Sequence, residues 1–169
     1  MKVLLVVDMQ KDFVTGALGS EEARKIIPNI KEKMEEYKEN KDKILFTMDT
    51  HNEDYLETLE GKYLPVRHCI KNTDGWHIIP ELDDEKVPKI WKYTFGYMNW
   101  DLFIPDDVEK IELCGVCTDI CVISNALILR AMFPNTKITV DANACAGVTL
   151  EKHKDALSVM KSCQIDVIN

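Results

Sequence analysis

No stretch of this sequence is apolar over anything near the roughly 20 residues that a membrane helix needs. The N-terminal run Val3-Leu4-Leu5-Val6-Val7 follows a cation at Lys2 but stops at Asp8, shorter than the apolar part that a secretory leader needs ahead of its cleavage site. Positive charge is scarce as well. Lys and Arg number 21 against 29 Asp and Glu, a formal net charge of -8, and that field repels phosphate backbones and anionic lipid, so neither nucleic acid nor membrane is expected as a partner. The acidic residues spread over 32–39, 53–60, 81–85 and 106–112 read as solvated faces. Repeats, low-complexity segments and interdomain linkers are missing too.

What is present describes an ordinary globular chain. An apolar share of 46% over 169 residues suffices for one domain, residues 1–169, that buries roughly 70% of the surface its unfolded chain exposes. Such a core needs no staples. The six cysteines (Cys69, Cys114, Cys117, Cys121, Cys145, Cys163) are therefore expected to be reduced thiols, and the location cytoplasmic.

Periodicity predicts alternating strands and helices. Lys2 to Asp8 is near-continuously apolar, as a central strand of a parallel sheet is. Further strands are expected over 43–48 ending at Asp49, 89–91 followed by Lys92, 110–114, 137–140 ending at Asp141, and 164–168. A helix capped by Ser20, with Glu21 and Glu22 in its first turn, carries on to about Asn40, starting late or kinked at Pro28. Val122, Ala126, Leu129 and Phe133 mark one buried face of another helix, with Thr118 or Asp119 as N-cap, and a last one covers about 150–160. From 51 to 85 the periodicity fails, and a loop that long tends to be functional. The pattern predicts an α/β class, three-layer α/β/α, with a mostly parallel, doubly wound sheet. Ligands of such sheets bind outside the carboxyl ends of the strands, which singles out Asp8, Asp49, Lys92 and the turn from Gly115 to Cys121.

Three constellations stand there. Asp8 closes an apolar strand, where a carboxylate needs a cation or a proton donor; the alternative is a cap on a neighbouring backbone turn. Lys92, flanked by Trp91, Tyr93 and Phe95, is either that cation or a snorkelling surface lysine. Cys121, in the first turn of its helix, sits where the helix dipole favours a thiolate. Asp49-Thr50-His51, with His68 from the loop, offers a carboxylate and two imidazoles to one divalent ion, zinc first and iron or manganese next; a hydrogen-bonded loop histidine is the alternative. Cys114-x-x-Cys117-x-x-x-Cys121 also admits a redox pair or an iron–sulfur ligand run, but Cys114 lies on the strand and Cys145 is a distant fourth ligand. His77 and His153 stand without such company and read as structural or surface residues.

Taken together, Val6-Val7-Asp8-Met9-Gln10-Lys11-Asp12-Phe13, Asp49-Thr50-His51, Leu64-Pro65-Val66-Arg67-His68-Cys69, Lys92-Tyr93-Thr94-Phe95 and Gly115-Val116-Cys117-Thr118-Asp119-Ile120-Cys121-Val122 resemble, in order and spacing, the isochorismatase-like cysteine hydrolases, nicotinamidase branch. The resemblance implies a catalytic triad of Asp8, Lys92 and Cys121 and a divalent metal on Asp49, His51 and His68. It implies a cis peptide between Val116 and Cys117, an oxyanion hole from the backbone N–H groups of Cys117 and Cys121, and Phe13 and Phe95 as substrate-binding aromatics. The activity it implies is hydrolysis of a small (hetero)aromatic amide through a thioester, with another small amide such as a carbamoyl compound, or a non-catalytic ligand-binding role, as alternatives. A homo-oligomer, dimer or tetramer, is expected. Leu64 stands where similar nicotinamidases carry a tryptophan, and one extra residue separates Pro65 from His68, so one stacking wall of the pocket is expected to be missing.

Overall fold

The computed structural model describes all residues, 1–169. Six strands, β1 (Lys2–Val7), β2 (Lys43–Asp49), β3 (Lys89–Lys92), β4 (Lys110–Val116), β5 (Lys137–Ala146) and β6 (Asp166–Ile168), pair in parallel throughout, in the order β3-β2-β1-β4-β5-β6. β1 is central, and Val3 to Val7 are fully buried, as its unbroken apolar run requires. The chain steps outward from β1 to β2 and β3, then returns to the other side of β1 and steps outward again through β4, β5 and β6. Right-handed crossovers moving in opposite directions put their helices on opposite faces. Helices α1 (Lys11–Val14), α2 (Glu21–Lys25) and α3 (Ile27–Glu39) belong to the first crossover. After α4 (Leu59–Tyr63) in the long connection, α5 (Ile123–Met132) and α6 (Leu150–Ser162) cover the other face. The three-layer α/β/α arrangement follows.

Several boundaries differ from the sequence expectation for identifiable reasons. The helix expected from Ser20 to Asn40 is two helices: Ser20 accepts the N–H of Ala23, the chain breaks at Ile26, and Pro28 falls in the first turn of α3, where its missing N–H costs nothing. Gly115 is no turn; β4 runs through it to Val116. Its φ is +115°, and a side chain there would put Cβ 2.1 Å from the Val7 carbonyl oxygen, so glycine lets β4 press against β1 just below Asp8. β5 continues past Asp141 to Ala146 after a register shift against β4 between Leu113 and Gly115. The aperiodic 51–85 stretch holds α4 and two short 3-10 turns, and it is stitched over the strand ends by bridges from His51 to Ile70 and from Gln10 to Ile78. No helix is long and apolar enough to cross a membrane.

Candidate active site and metal centre

The order of the sheet reverses between β1 and β4, and that crevice is where open α/β sheets take ligands. Four strands deliver side chains to it. Asp49 and Lys92 are register partners at the ends of β2 and β3, Asp8 follows β1 with a φ of +50°, and Cys117 follows β4. The peptide between Val116 and Cys117 is cis.

Asp8, Lys92 and Cys121 converge in the interior. The Lys92 ammonium lies 2.7 Å from Asp8 Oδ2, 3.2 Å from Asp49 Oδ1 and 3.3 Å from Cys121 Sγ, and it also donates to the Thr94 carbonyl. Asp8 does not cap a backbone turn, nor does Lys92 snorkel: both are buried. Asp8 Oδ1 accepts the Thr47 hydroxyl at 2.6 Å. Oδ2, although beside the ammonium, has no well-aligned hydrogen-bond donor and remains open to a proton. One cation thus faces two buried carboxylates and a thiol. Burial alone would strip Lys92 of its proton, but Asp8, Cys121 and Asp49 outweigh it and hold the ammonium firmly charged. Asp49 stays well below the carboxylate range, because Lys92 and the two imidazoles overcome its burial. For Asp8, burial prevails over Lys92 and raises its proton affinity.

The helix start and Lys92, which favour a thiolate at Cys121, are opposed there by burial. Burial, followed by the nearby Asp8 charge, pushes the Cys121 thiol well above its ordinary value despite Lys92. The geometry at the helix start also differs. Neither Thr118 nor Asp119 is the N-cap; residues Thr118–Val122 form a π-helical turn ahead of α5, with Cys117 in the capping position and its carbonyl accepting from Ile120 and Val122. The Cys117 N–H makes no hydrogen bond within the chain. The other thiols fall away from the redox reading. Cys114 is fully buried in β4 with its sulfur toward the Leu5 carbonyl, and all six cysteines are unpaired.

A second cluster lies beside the first. Asp49, His51 and His68 come together as expected, with His51 Nε2 at 3.0 Å and His68 Nε2 at 3.6 Å from Asp49 Oδ2. Glu60 of α4, which sequence reasoning missed, joins them 3.6 Å from His51 Nε2, and the four potential ligand atoms lie within 4.8 Å of one another. Two imidazoles and two carboxylates suit zinc, iron or manganese by donor type. His68 Nδ1 donates to the Val66 carbonyl at 2.7 Å, which orients the ring so that Nε2 faces the cluster. Gln10, also missed, ties the cluster down: its side chain accepts the Asp49 N–H and donates to the Asp49 and Trp76 carbonyls.

Both clusters border one cavity of about 460 Å³, walled by Phe13, Phe95, Leu64 and Ile120, with Cys117 and Cys121 on one side and Asp49, Glu60 and His68 on the other. Phe13 also packs edge-on against His68, ring centres 5.5 Å apart. Asn125, unremarked in the sequence, donates to the Cys121 carbonyl at 2.8 Å and to that of Phe95 at 3.2 Å, joining the turn to the cavity wall. His77 is exposed and His153 is half-buried behind the turn.

Comparison with known proteins agrees with the fold. An isochorismatase family protein of Bacillus subtilis is 30% identical, the match covering 93% of this chain and 92% of that protein. A nicotinamidase of Schizosaccharomyces pombe is 27% identical over 98% of this chain and 92% of its own. A crystal structure of the pyrazinamidase of Pyrococcus horikoshii in complex with zinc superposes with a TM-score of 0.87 at 30% identity, covering 99% of this chain and 98% of that one. The model of the isochorismatase domain matches residues 2–169, and the chain belongs to the isochorismatase family.

Proposed function

We propose that the protein is a cysteine-nucleophile amidohydrolase of the nicotinamidase type, which releases ammonia from a small (hetero)aromatic amide. One observation carries this reading: Cys121 Sγ and the open oxygen of Asp8 meet around a single buried ammonium at the wall of an apolar cavity. Asp8, whose proton affinity burial raises, takes the thiol proton as Sγ bonds to the amide carbon. Lys92 offsets the negative charge passed between them. Burial and the Asp8 charge raise the proton affinity of the thiol, so Asp8 is needed beside it to receive the proton as Sγ attacks. The oxyanion is received by the backbone N–H groups of Cys117 and Cys121, a kind of donor worth about 10² to 10³ in rate. Asp8 then returns its proton to the departing ammonia, deprotonates the water that attacks the thioester, and gives that proton back to the thiol. Phe13 and Phe95 flank the substrate ring, and Leu64 closes the side that a larger aromatic would wall.

Asp49, His51, His68 and Glu60 would hold one divalent ion, with zinc favoured by the zinc complex of the Pyrococcus relative. When bound, such an ion supplies Lewis acidity and an anchor for a substrate heteroatom beside the cavity. A homo-oligomer in the cytoplasm completes the proposal. The test is ammonia release across a panel of amides beginning with nicotinamide; a protein that binds them and releases none would be a ligand-binding relative instead.

A further inference from the structure

The turn that bears Cys117 and Cys121 is held from behind by the start of α6. Thr118 is fully buried, and its hydroxyl lies 2.8 Å from His153 Nδ1. The next residue, Asp119, accepts the backbone N–H of Val148 at 2.9 Å. Between the two contacts there is no room for a side chain at Gly147, where a Cβ would stand 2.9 Å from both Asp119 Oδ1 and the His153 N. This grip answers a local need. The π-helical geometry of residues 118–122 is uncommon in itself, and Thr118, Ile120 and Val122 are β-branched, which disfavours a helical turn on its own account.

Thr118 directly follows Cys117, so anchoring its side chain fixes the peptide plane beyond the Cys117 N–H. Cys121 sits one turn further along the same element. We propose that His153 is a positioning residue for the hydrolysis, which through its hydrogen bond to Thr118 aims the Cys117 N–H and the Cys121 thiol at the substrate carbonyl. The proposal rests on the reading of Cys121 as nucleophile. His153 borders a separate cavity of about 200 Å³ with Lys25, Asn143 and Thr149, so a shorter side chain there opens that space and not the substrate cavity. Misplacing reacting groups by about 1 Å costs on the order of 10²-fold in rate.

The experiment measures kcat and KM for ammonia release from nicotinamide in His153→Ala, His153→Asn, Thr118→Val and the double variant His153→Ala/Thr118→Val, with thermal unfolding alongside. The amide of asparagine offers a polar atom where His153 has Nδ1, so it keeps a partner for Thr118. Expected are a kcat lowered by up to about 10²-fold in His153→Ala and in Thr118→Val with KM unchanged, recovery of most of it in His153→Asn, and no further loss in the double variant. Full kcat in His153→Ala, additive losses in the double variant, or a loss that follows the folded fraction and does not recover with asparagine would overturn it. Turnover abolished by Cys121→Ala but untouched by His153→Ala removes the positioning role alone, whereas turnover that survives Cys121→Ala removes the nucleophile and the positioning role together.

Discussion

Asp49 and Lys92 face each other across the ends of β2 and β3, with the ammonium 3.2 Å from Asp49 Oδ1. That pairing joins two sites, because the same ammonium holds Asp8 and Cys121 while the same carboxylate holds the two imidazoles. Replacing Lys92 by methionine takes the counter-charge from buried Asp8 and leaves Asp49 to the two imidazoles. Breaking a buried pair in this way costs about 3 to 5 kcal/mol, so Lys92→Met should lose most of its stability in urea unfolding together with its activity. Lys92→Arg should not restore turnover, since a planar guanidinium replaces a compact charge in a fully enclosed space. An active Lys92→Met variant of native stability would refute the shared-charge description.

Asp8→Asn separates the base from the cation. Lys92 keeps Asp49 as a partner, so stability should change less than in Lys92→Met, while kcat at saturating substrate should fall by about 10² to 10⁴. Thr47 donates to Asp8 Oδ1 and leaves Oδ2 for the proton, so Thr47→Val should lower kcat more than it raises KM. A normal kcat in Asp8→Asn would put the base elsewhere.

Elemental analysis should find one divalent ion per chain, removed by His51→Ala combined with His68→Ala. Glu60→Gln removes one of the two carboxylates offered to the ion and should weaken retention against a chelator by about 10-fold or more, since loss of even a group that only supports a ligand costs about 10- to 100-fold. Unchanged metal content in the double histidine variant would eliminate this centre.

A pH effect on stability is expected away from the site. Glu112 is buried in β4; burial alone would raise its carboxyl, but Lys110 at 2.5 Å and Lys33 at 2.6 Å outweigh that and hold it below its ordinary value of 4.5, while Tyr37 donates to it as well. A carboxyl lowered in the folded state stabilises above its unfolded pKa, and the contribution drains as pH falls through the folded value. Glu112→Gln should therefore cost about 1 to 3 kcal/mol at pH 7, and urea unfolding of the two proteins should converge in acid. A difference that stays constant from neutral pH down to about pH 3 would contradict this.

Sequence and structure agree most where a single physical requirement dominates. The runs of β1 and β2 could only be buried strands, so Asp8, just past β1, and Asp49, the last residue of β2, were legible as strand-end carboxylates. Lys92 was legible for the same reason. Glu60 was not, because its element is a five-residue helix inside an aperiodic stretch, where no local pattern aims a side chain at the strand ends. Thr47, Gln10 and Asn125 escaped because each is a polar residue whose partners lie 28 to 66 positions away or on a carbonyl that any residue carries. At Cys121 the dipole and the cation that favour a thiolate were readable, but the depth of burial that opposes them was not. Gly115 likewise read as a turn because the approach of Val7 is a tertiary fact.

The central claim is that Cys121 is the nucleophile, and ammonia release from nicotinamide by Cys121→Ala, measured beside the native protein with the fold checked by circular dichroism, tests it most directly. Native turnover with none detectable in a folded Cys121→Ala protein is the expected result; turnover persisting in that variant would contradict it.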